Sequence, residues 1–143
     1  MENISVNIRI RPIKLETENT YSWKLEGNNI VNTKTKDIFS YDRVFSNDSK
    51  NIDIFKECVK ENLNKFLTGV NVCIFAYGQT CTGKTFTMRG SDEYPGIIPQ
   101  SLNYIFMKIR ETDENGYFNI NDSILKINEI KVSYLEIYNE SVN

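Results

Sequence analysis

The chain has 143 residues, of which 40% are hydrophobic and 25% charged, and its net charge is −2. This length and composition predict one globular domain and exclude a disordered chain. No apolar run approaches the roughly 20 residues that cross a bilayer, and no secretory signal follows Met1. We therefore expect no membrane partner. The slightly negative net charge also predicts no basic surface that would bind nucleic acid.

The cysteine and histidine content limits the metal and catalytic sites that this sequence can form. The three cysteines, Cys58, Cys73 and Cys81, are an odd number without metal-binding spacing. They predict free thiols in a reducing compartment. The sequence contains no histidine, which excludes histidine general bases and histidine-ligated metals from these residues.

The first part of the chain is predicted to form short strands. Apolar and polar residues alternate from Ile4 to Ile10, the period of a half-buried strand that Pro12 would end. A turn is expected at Gly27–Asn28. Two or three further short strands are predicted in this region, with candidates around Tyr21–Leu25, Asn29–Asn32 and Asp37–Tyr41.

A helix and a buried strand are predicted next. Apolar side chains recur at helical spacing from Ile52 to Leu67, which indicates one face packed on a core. Ser49 or Asn51 is the expected N-terminal cap, and Gly69 the C-terminal one. Val70–Tyr77 is a nearly continuous apolar run, which predicts a strand buried on both faces.

The segment G-Q-T-C-T-G-K-T at residues 78–85 has the G-x-x-x-x-G-K-[ST] form of a phosphate-binding loop. In this form, main-chain N–H groups of a glycine turn and of the following helix point at a phosphate. Gly78 and Gly83 permit backbone angles that other residues avoid. Lys84 would reach the terminal phosphates, and Thr85 would ligate a phosphate-bound Mg²⁺. The order of elements predicts an α/β fold in which helices flank a parallel sheet.

Beyond the loop, the sequence predicts a short helix and then an exposed polar excursion at residues 89–96. Pro99 is expected at the first position of the next helix. A polar loop at 111–122 and an extended stretch that ends near Tyr138 follow. Residues 139–143 have the pattern of the start of another helix.

Phrases spread over nearly the whole chain resemble the motor domain of kinesins. The two most specific are A-Y-G-Q-T-C-T-G-K-T-F-T-M at residues 76–88 and V-S-Y-L-E-I-Y-N-E at residues 132–140. Three shorter phrases occur in the order of that family, namely I-R-I-R-P at 8–12, F-S-Y-D-R-V-F at 39–45 and G-I-I-P at 96–99. Y-S-W-K at 21–24, with the asparagines at 28 and 29, is most similar to the centromere-protein-E type of kinesin.

The resemblance implies the fold and function of a kinesin motor. The fold would be a P-loop NTPase of kinesin type, with a central sheet incomplete at its C-terminal side and residues 1–143 as the N-terminal part of the motor domain. ATP hydrolysis, with Mg²⁺, would drive movement along microtubules in the full-length protein. The implied partners are ATP or ADP and, through parts of the motor absent here, microtubules. A homodimer through a stalk is implied, as is a place in the cytoplasm on the cytoskeleton, including the spindle or kinetochore.

The resemblance also assigns roles to individual residues. Lys84 is the expected catalytic residue and Thr85 the metal ligand. The cofactor-binding residues would be those of the loop and those beside the adenine, namely Arg9, Arg11, Pro12, Gly78, Gln79, Thr80, Cys81, Thr82, Gly83, Lys84, Thr85 and Phe86. Guanidinium planes and rings are suitable stacking surfaces for a base. The alternative from the residues alone is a solvated strand face for the two arginines and a core position for Phe86.

Two departures from the kinesin pattern bear on activity. Cys81 stands where the family usually has Gly, Ala or Ser, and it leaves the main-chain phosphate contact possible. The family's two switch phrases, N-x-x-S-S-R-S-H and D-L-A-G-S-E, do not occur in the 143 residues, so this segment alone is expected not to turn over ATP. One alternative is a truncated, non-catalytic kinesin-derived scaffold. The other is a small nucleotide kinase, which would carry its loop near the chain start and an arginine-rich lid.

Overall fold

A computed structural model describes residues 4–12, 22–120, 123–126 and 128–142. The strands are β1 (Asn7–Arg9), β2 (Trp23–Glu26), β3 (Asn29–Asn32), β4 (Ile38–Ser40), β5 (Arg43–Phe45), β6 (Tyr117–Ile120), β7 (Ser123–Lys126), β8 (Ile137–Tyr138) and β9 (Ser141–Val142). The helices are α1 (Asn51–Ile54), α2 (Lys60–Leu67), α3 (Lys84–Met88) and α4 (Ile97–Arg110). A π-helical turn, Phe55–Val59, joins α1 to α2. No helix in this described part is both long and apolar enough to cross a membrane.

The strand predictions before residue 42 are confirmed within a few residues. β1 is shorter than the predicted strand and pairs in parallel with β5, which was not predicted. β2, β3 and β4 form an antiparallel sheet. The turn at Gly27–Asn28 joins β2 to β3, as expected. Tyr21, where the first of these strands was predicted to begin, lies outside the described residues.

The predicted helix over 52–67 is present as α1, the π-helical turn and α2. The prediction of its N-terminal cap is wrong. Lys50 is the N-cap residue, and its main-chain N–H donates to the carboxylate of Asp53 at 2.8 Å. This is the half of a capping box in which an acidic residue three positions into the helix reaches back to the N–H of the cap residue.

The prediction of a buried strand at Val70–Tyr77 is wrong. The helix ends before Gly69 as expected, but the following run is paired with no strand of the described residues. The side chains of Phe75 and Tyr77 have exposed fractions of 77% and 95%. A strand requires hydrogen bonds from a neighbour, so an apolar run without one forms no strand. Parallel pairing within the described part is therefore confined to β1 and β5.

Downstream of the loop, the predicted short helix is α3. Pro99 is the third residue of α4 and not the first, because Gly96 is the N-cap residue. The predicted excursion between α3 and α4 folds back on itself, and a bridge joins Gly90 to Pro95.

The last third of the chain contains two hairpins where a loop and a helix start were predicted. β6 pairs with β7, and its burial alternates, with Phe118 and Ile120 buried. Asn139 and Glu140 have φ of +49° and +61°, so they form a tight turn between β8 and β9 and cannot start a helix. Residues 128–136 of the predicted extended stretch lie outside any strand, and Asn143 lies outside the described residues.

The core lies between the helical segment of residues 51–67 and α4. Its buried members are Phe45, Ile54, Phe55, Val59, Leu63, Ile97 and Tyr104. The rings of Phe55 and Tyr104 meet edge-on, with centroids 6.1 Å apart. The side chain of Met88, the last residue of α3, packs against the same cluster. The core therefore positions the helix that follows the predicted phosphate loop.

Candidate phosphate-binding site

The segment of residues 78–85 forms an exposed loop that leads directly into α3. Gly78 and Gly83 have φ of +152° and +101°, which an L side chain rarely adopts. Cys81 also has a positive φ, of +65°. Left-handed residues within a loop turn successive main-chain N–H groups toward one concavity, as in anion-binding nests.

Two side chains hold the loop in this shape. The Nζ atom of Lys84 donates to the carbonyl oxygens of Gly78 and Gln79, at 2.8 and 2.7 Å. Thr82 Oγ1 donates to the same Gln79 carbonyl at 2.8 Å. The Lys84 ammonium is therefore folded back against the loop, next to its main-chain donors.

Several of these main-chain donors have no acceptor in the described part of the chain. Within the described ranges, the N–H groups of Cys81, Gly83 and Lys84 donate to no carbonyl. The first α3 bond to the loop is from the N–H of Thr87 to the carbonyl of Gly83, at 2.9 Å. Exposed N–H groups beside an ammonium are the donor set that binds phosphate oxygens.

Thr85 fits the predicted role of a metal ligand. It is the second residue of α3 and is exposed. A phosphate-bound Mg²⁺ keeps several waters and needs only one or two protein oxygens, so a single hydroxyl beside the loop is sufficient. The described residues contain no group of three or more Cys, Asp or Glu side chains that could hold a metal ion.

The fold brings Arg11 to the loop. Its guanidinium donates to the carbonyl of Cys81, 70 residues further along the chain. Pro12 follows at the exposed end of the same segment. Both residues come from the stretch just after β1, and the contact of Arg11 with Cys81 brings the end of this stretch to the loop.

Arg9 is held by the protein on several sides. Its NH1 atom donates to Asn51 Oδ1 at 2.5 Å and to Thr87 Oγ1 at 2.8 Å, and NH2 donates to the Ser49 carbonyl at 3.2 Å. Its guanidinium lies 5.2 Å from the centroid of the Phe86 ring. Partial burial lowers the pKa of Arg9, although a guanidinium stays charged in proteins.

These contacts and the exposure of Phe86 argue against the alternative positions predicted for Arg9 and Phe86. A solvated strand face is wrong for Arg9, because its guanidinium is hydrogen-bonded to three residues. A core position is wrong for Phe86, because 44% of its surface is exposed. The two side chains instead form a stacked pair next to the loop. Contact of this pair with adenine stays a prediction.

Sequence reasoning missed Asn51 as part of the site. In the described part of the chain it is the only buried polar residue, with an exposed fraction of 3%. Its Nδ2 atom donates to the carbonyls of Phe86 and Tyr94, at 3.0 and 3.1 Å. The one available signal was an asparagine at the start of an apolar helical stripe, which also indicates a cap.

Comparison with known proteins decides the family. A family model of the kinesin motor domain matches residues 4–143, almost the whole chain. The chain belongs to the kinesin motor domain family. This assignment confirms the predicted family and argues against the small nucleotide kinase alternative.

Individual relatives give the extent of the similarity. Kinesin-related protein 4 of Dictyostelium discoideum is 42% identical over 144 residues, which cover 97% of this chain and 7% of that protein. Human centromere-associated protein E is 33% identical over 145 residues, which cover 97% of this chain and 5% of that protein. A solved structure of a fast kinesin matches with a TM-score of 0.70 at 32% identity, covering 78% of this chain and 34% of that one.

These matches confirm the α/β, kinesin-type fold and the predicted similarity to centromere-protein-E kinesins. The kinesin segment spans about a tenth or less of the curated relatives named above and about a third of the solved chain. Kinesin motor domains bind nucleotide, and the loop at residues 78–85 has positive φ angles of the kind found in anion-binding nests.

Proposed function

We propose that this chain is the ATP-binding part of a microtubule motor, in which hydrolysis drives movement along microtubules in the full-length protein. The observation that carries the proposal is the loop at residues 78–85 within a kinesin motor segment. Three unpaired main-chain donors and the Lys84 ammonium lie together there. The protein would act as an ATPase.

The loop residues act on the triphosphate mainly through charge. The N–H groups of Cys81, Gly83 and Lys84 bind phosphate oxygens, and the Lys84 ammonium exchanges its carbonyl partners for them. Donors that are already in place stabilise the negative charge that develops on the transferred phosphoryl group. The Thr85 hydroxyl would hold a phosphate-bound Mg²⁺, which would supply further positive charge at this point.

The base lies on the other side of the loop in this proposal. Arg11 is anchored to the Cys81 carbonyl, and Pro12 is exposed beside it. The stacked pair of Arg9 and Phe86 offers a flat surface of the kind that bases stack on. Together these four residues flank the adenine.

The proposal extends to partners and location. Microtubules are bound by parts of the motor outside these 143 residues, and the full-length protein forms a homodimer through a stalk. The protein works on the cytoskeleton in the cytoplasm. Similarity to centromere-associated protein E supports the spindle or kinetochore as the place of action.

Saturating MgATP is expected to slow alkylation of Cys81 in the full-length protein. Cys81 is exposed in the loop, so bound phosphates would cover it. Cys58 is an internal control. Desolvation, and then the charge of Glu57, raise its pKa, so at neutral pH the thiol stays protonated and reacts slowly with or without nucleotide. Iodoacetamide treatment followed by peptide mass spectrometry measures both sites, and unchanged Cys81 labelling would contradict the proposal.

ATP turnover separates the motor from a non-catalytic scaffold. The full-length protein is expected to hydrolyse ATP faster when microtubules are added, because kinesins couple ATP hydrolysis to movement along microtubules. A scaffold would bind nucleotide or tubulin without hydrolysis. Phosphate release with and without polymerised tubulin is the measurement, and no release under either condition favours the scaffold.

A further inference from the structure

A buried side chain links the base side of the site to two other elements. Asn51, the first residue of α1, accepts a hydrogen bond from Arg9 of β1. It also donates to the carbonyls of Phe86 in α3 and of Tyr94 in the excursion before α4. One amide thus joins parts of the chain that are up to 43 residues away from it.

All hydrogen-bonding groups of this amide are in use. An asparagine side chain has two N–H donors and a carbonyl oxygen with two lone pairs. The bonds to Phe86 and Tyr94 engage both donors, and the bond from Arg9 engages one lone pair of the oxygen. Because Asn51 is buried, losing any partner leaves a polar group without water to replace it. The arrangement therefore tolerates few alternative positions of its partners.

The bonds from Asn51 hold the two members of the stacked pair relative to each other. Arg9 is fixed at its guanidinium and Phe86 at its main chain, and the ring of Phe86 meets the guanidinium of Arg9. Thr87 adds a second acceptor for Arg9 from the same helix. Neither Asn51 nor Thr87 bonds to a residue of the loop through its side chain among the contacts described.

We propose that Asn51 is a positioning residue for recognition of the nucleotide base, which holds Arg9 and Phe86 in the orientation that contacts the base. The inference rests on the proposed ATP site and names a determinant of it. The triphosphate is bound by the loop and does not depend on Asn51. Base recognition and phosphate binding are thus separable by mutation.

Asn51→Leu tests this separation in the full-length protein, with ATP and inorganic tripolyphosphate as probes. The variant removes the amide that holds the Arg9 guanidinium and the Phe86 main chain, so ATP affinity is expected to fall at least about tenfold. Affinity for tripolyphosphate, which has no base, stays unchanged. Asn62→Leu is the matched control. Within the described ranges, the side chain of Asn62 bonds only to the Cys58 carbonyl of its own helical segment, so this variant is expected to leave both affinities unchanged.

Thr87→Val provides a second variant that leaves Asn51 and the buried cluster intact. It removes one acceptor of Arg9 with little change of shape. A smaller loss of ATP affinity is expected, about two- to tenfold, because Asn51 still bonds both Arg9 and Phe86 in this variant. Affinity for tripolyphosphate again stays unchanged. This variant decides the question if Asn51→Leu does not fold, as judged by its thermal melt.

The outcomes distinguish the inference from the function on which it rests. Selective loss of ATP affinity in both folded variants supports it. An equal loss of affinity for ATP and for tripolyphosphate shows that Asn51 only supports the fold. Unchanged ATP affinity shows that Asn51 has no role at the base. Either result overturns the inference but leaves the proposed function standing. A wild-type protein that binds neither probe overturns the proposed function, and the inference with it.

Discussion

Lys84→Ala is expected to weaken ATP binding to the full-length protein by about 100-fold or more and to abolish turnover. Charge-assisted hydrogen bonds contribute about 1.5–3 kcal/mol each, and a tenfold change is about 1.4 kcal/mol. Two such bonds, from the Lys84 ammonium to two phosphate groups, therefore account for a decrease in ATP affinity of at least about 100-fold. The same substitution removes the bonds to the Gly78 and Gln79 carbonyls, which hold the loop in shape.

A matched lysine separates this effect from a general loss of positive charge. Lys56 is exposed in the π-helical turn, and Lys56→Ala is expected to leave ATP affinity and turnover at the wild-type level. Titration with a fluorescent ATP analogue and a steady-state ATPase assay measure both variants. Wild-type activity in Lys84→Ala would show that the phosphate site is misassigned.

Phe55→Ala is expected to destabilise the motor by about 3–5 kcal/mol, the range for removing a large buried side chain. Phe55 lies in the π-helical turn, is buried among the core residues, and meets the Tyr104 ring of α4 edge-on. Its loss leaves a cavity between the two helical layers. Urea unfolding of the full-length protein, followed by the fluorescence of Trp23 and other aromatic residues, measures the change.

Phe66→Ala is the control for this prediction. It removes the same side chain from α2, where Phe66 is 48% exposed. Substitutions at exposed positions usually change the free energy of unfolding by about 0.5 kcal/mol or less. We therefore expect Phe55→Ala to lower this free energy several-fold more than Phe66→Ala does. Equal effects would mean that the face of the helix that packs on α4 is assigned wrongly.

Local signals in the sequence were sufficient for part of the fold. The glycine and asparagine at 27 and 28 fix a turn by themselves, and the strands on either side follow from it. Apolar side chains recur at helical spacing over residues 52–67, and this segment is helical throughout, although its middle is a π-helical turn. The loop at residues 78–85 is recognisable because its glycines and lysine are required at fixed spacing.

The failures concern features that depend on distant residues. Val70–Tyr77 has the composition of a buried strand, yet pairing needs a neighbour that local sequence does not specify. Asn51 was interpreted as a cap, since its three partners lie in β1, α3 and the segment before α4. The turn at Asn139 and Glu140 depends on two positive φ angles at residues that usually avoid them.

The shift of the Gly83 main-chain amide on addition of MgATP tests the account most directly. The motor domain of the full-length protein, labelled with ¹⁵N-glycine, gives one amide signal for each glycine, and Gly83→Ala identifies the relevant one. The account predicts a large shift for Gly83, whose N–H is unpaired in the loop, and none for Gly27 in the β2–β3 turn, which belongs to the separate sheet of β2, β3 and β4. ATP binding that leaves the Gly83 signal in place would contradict it.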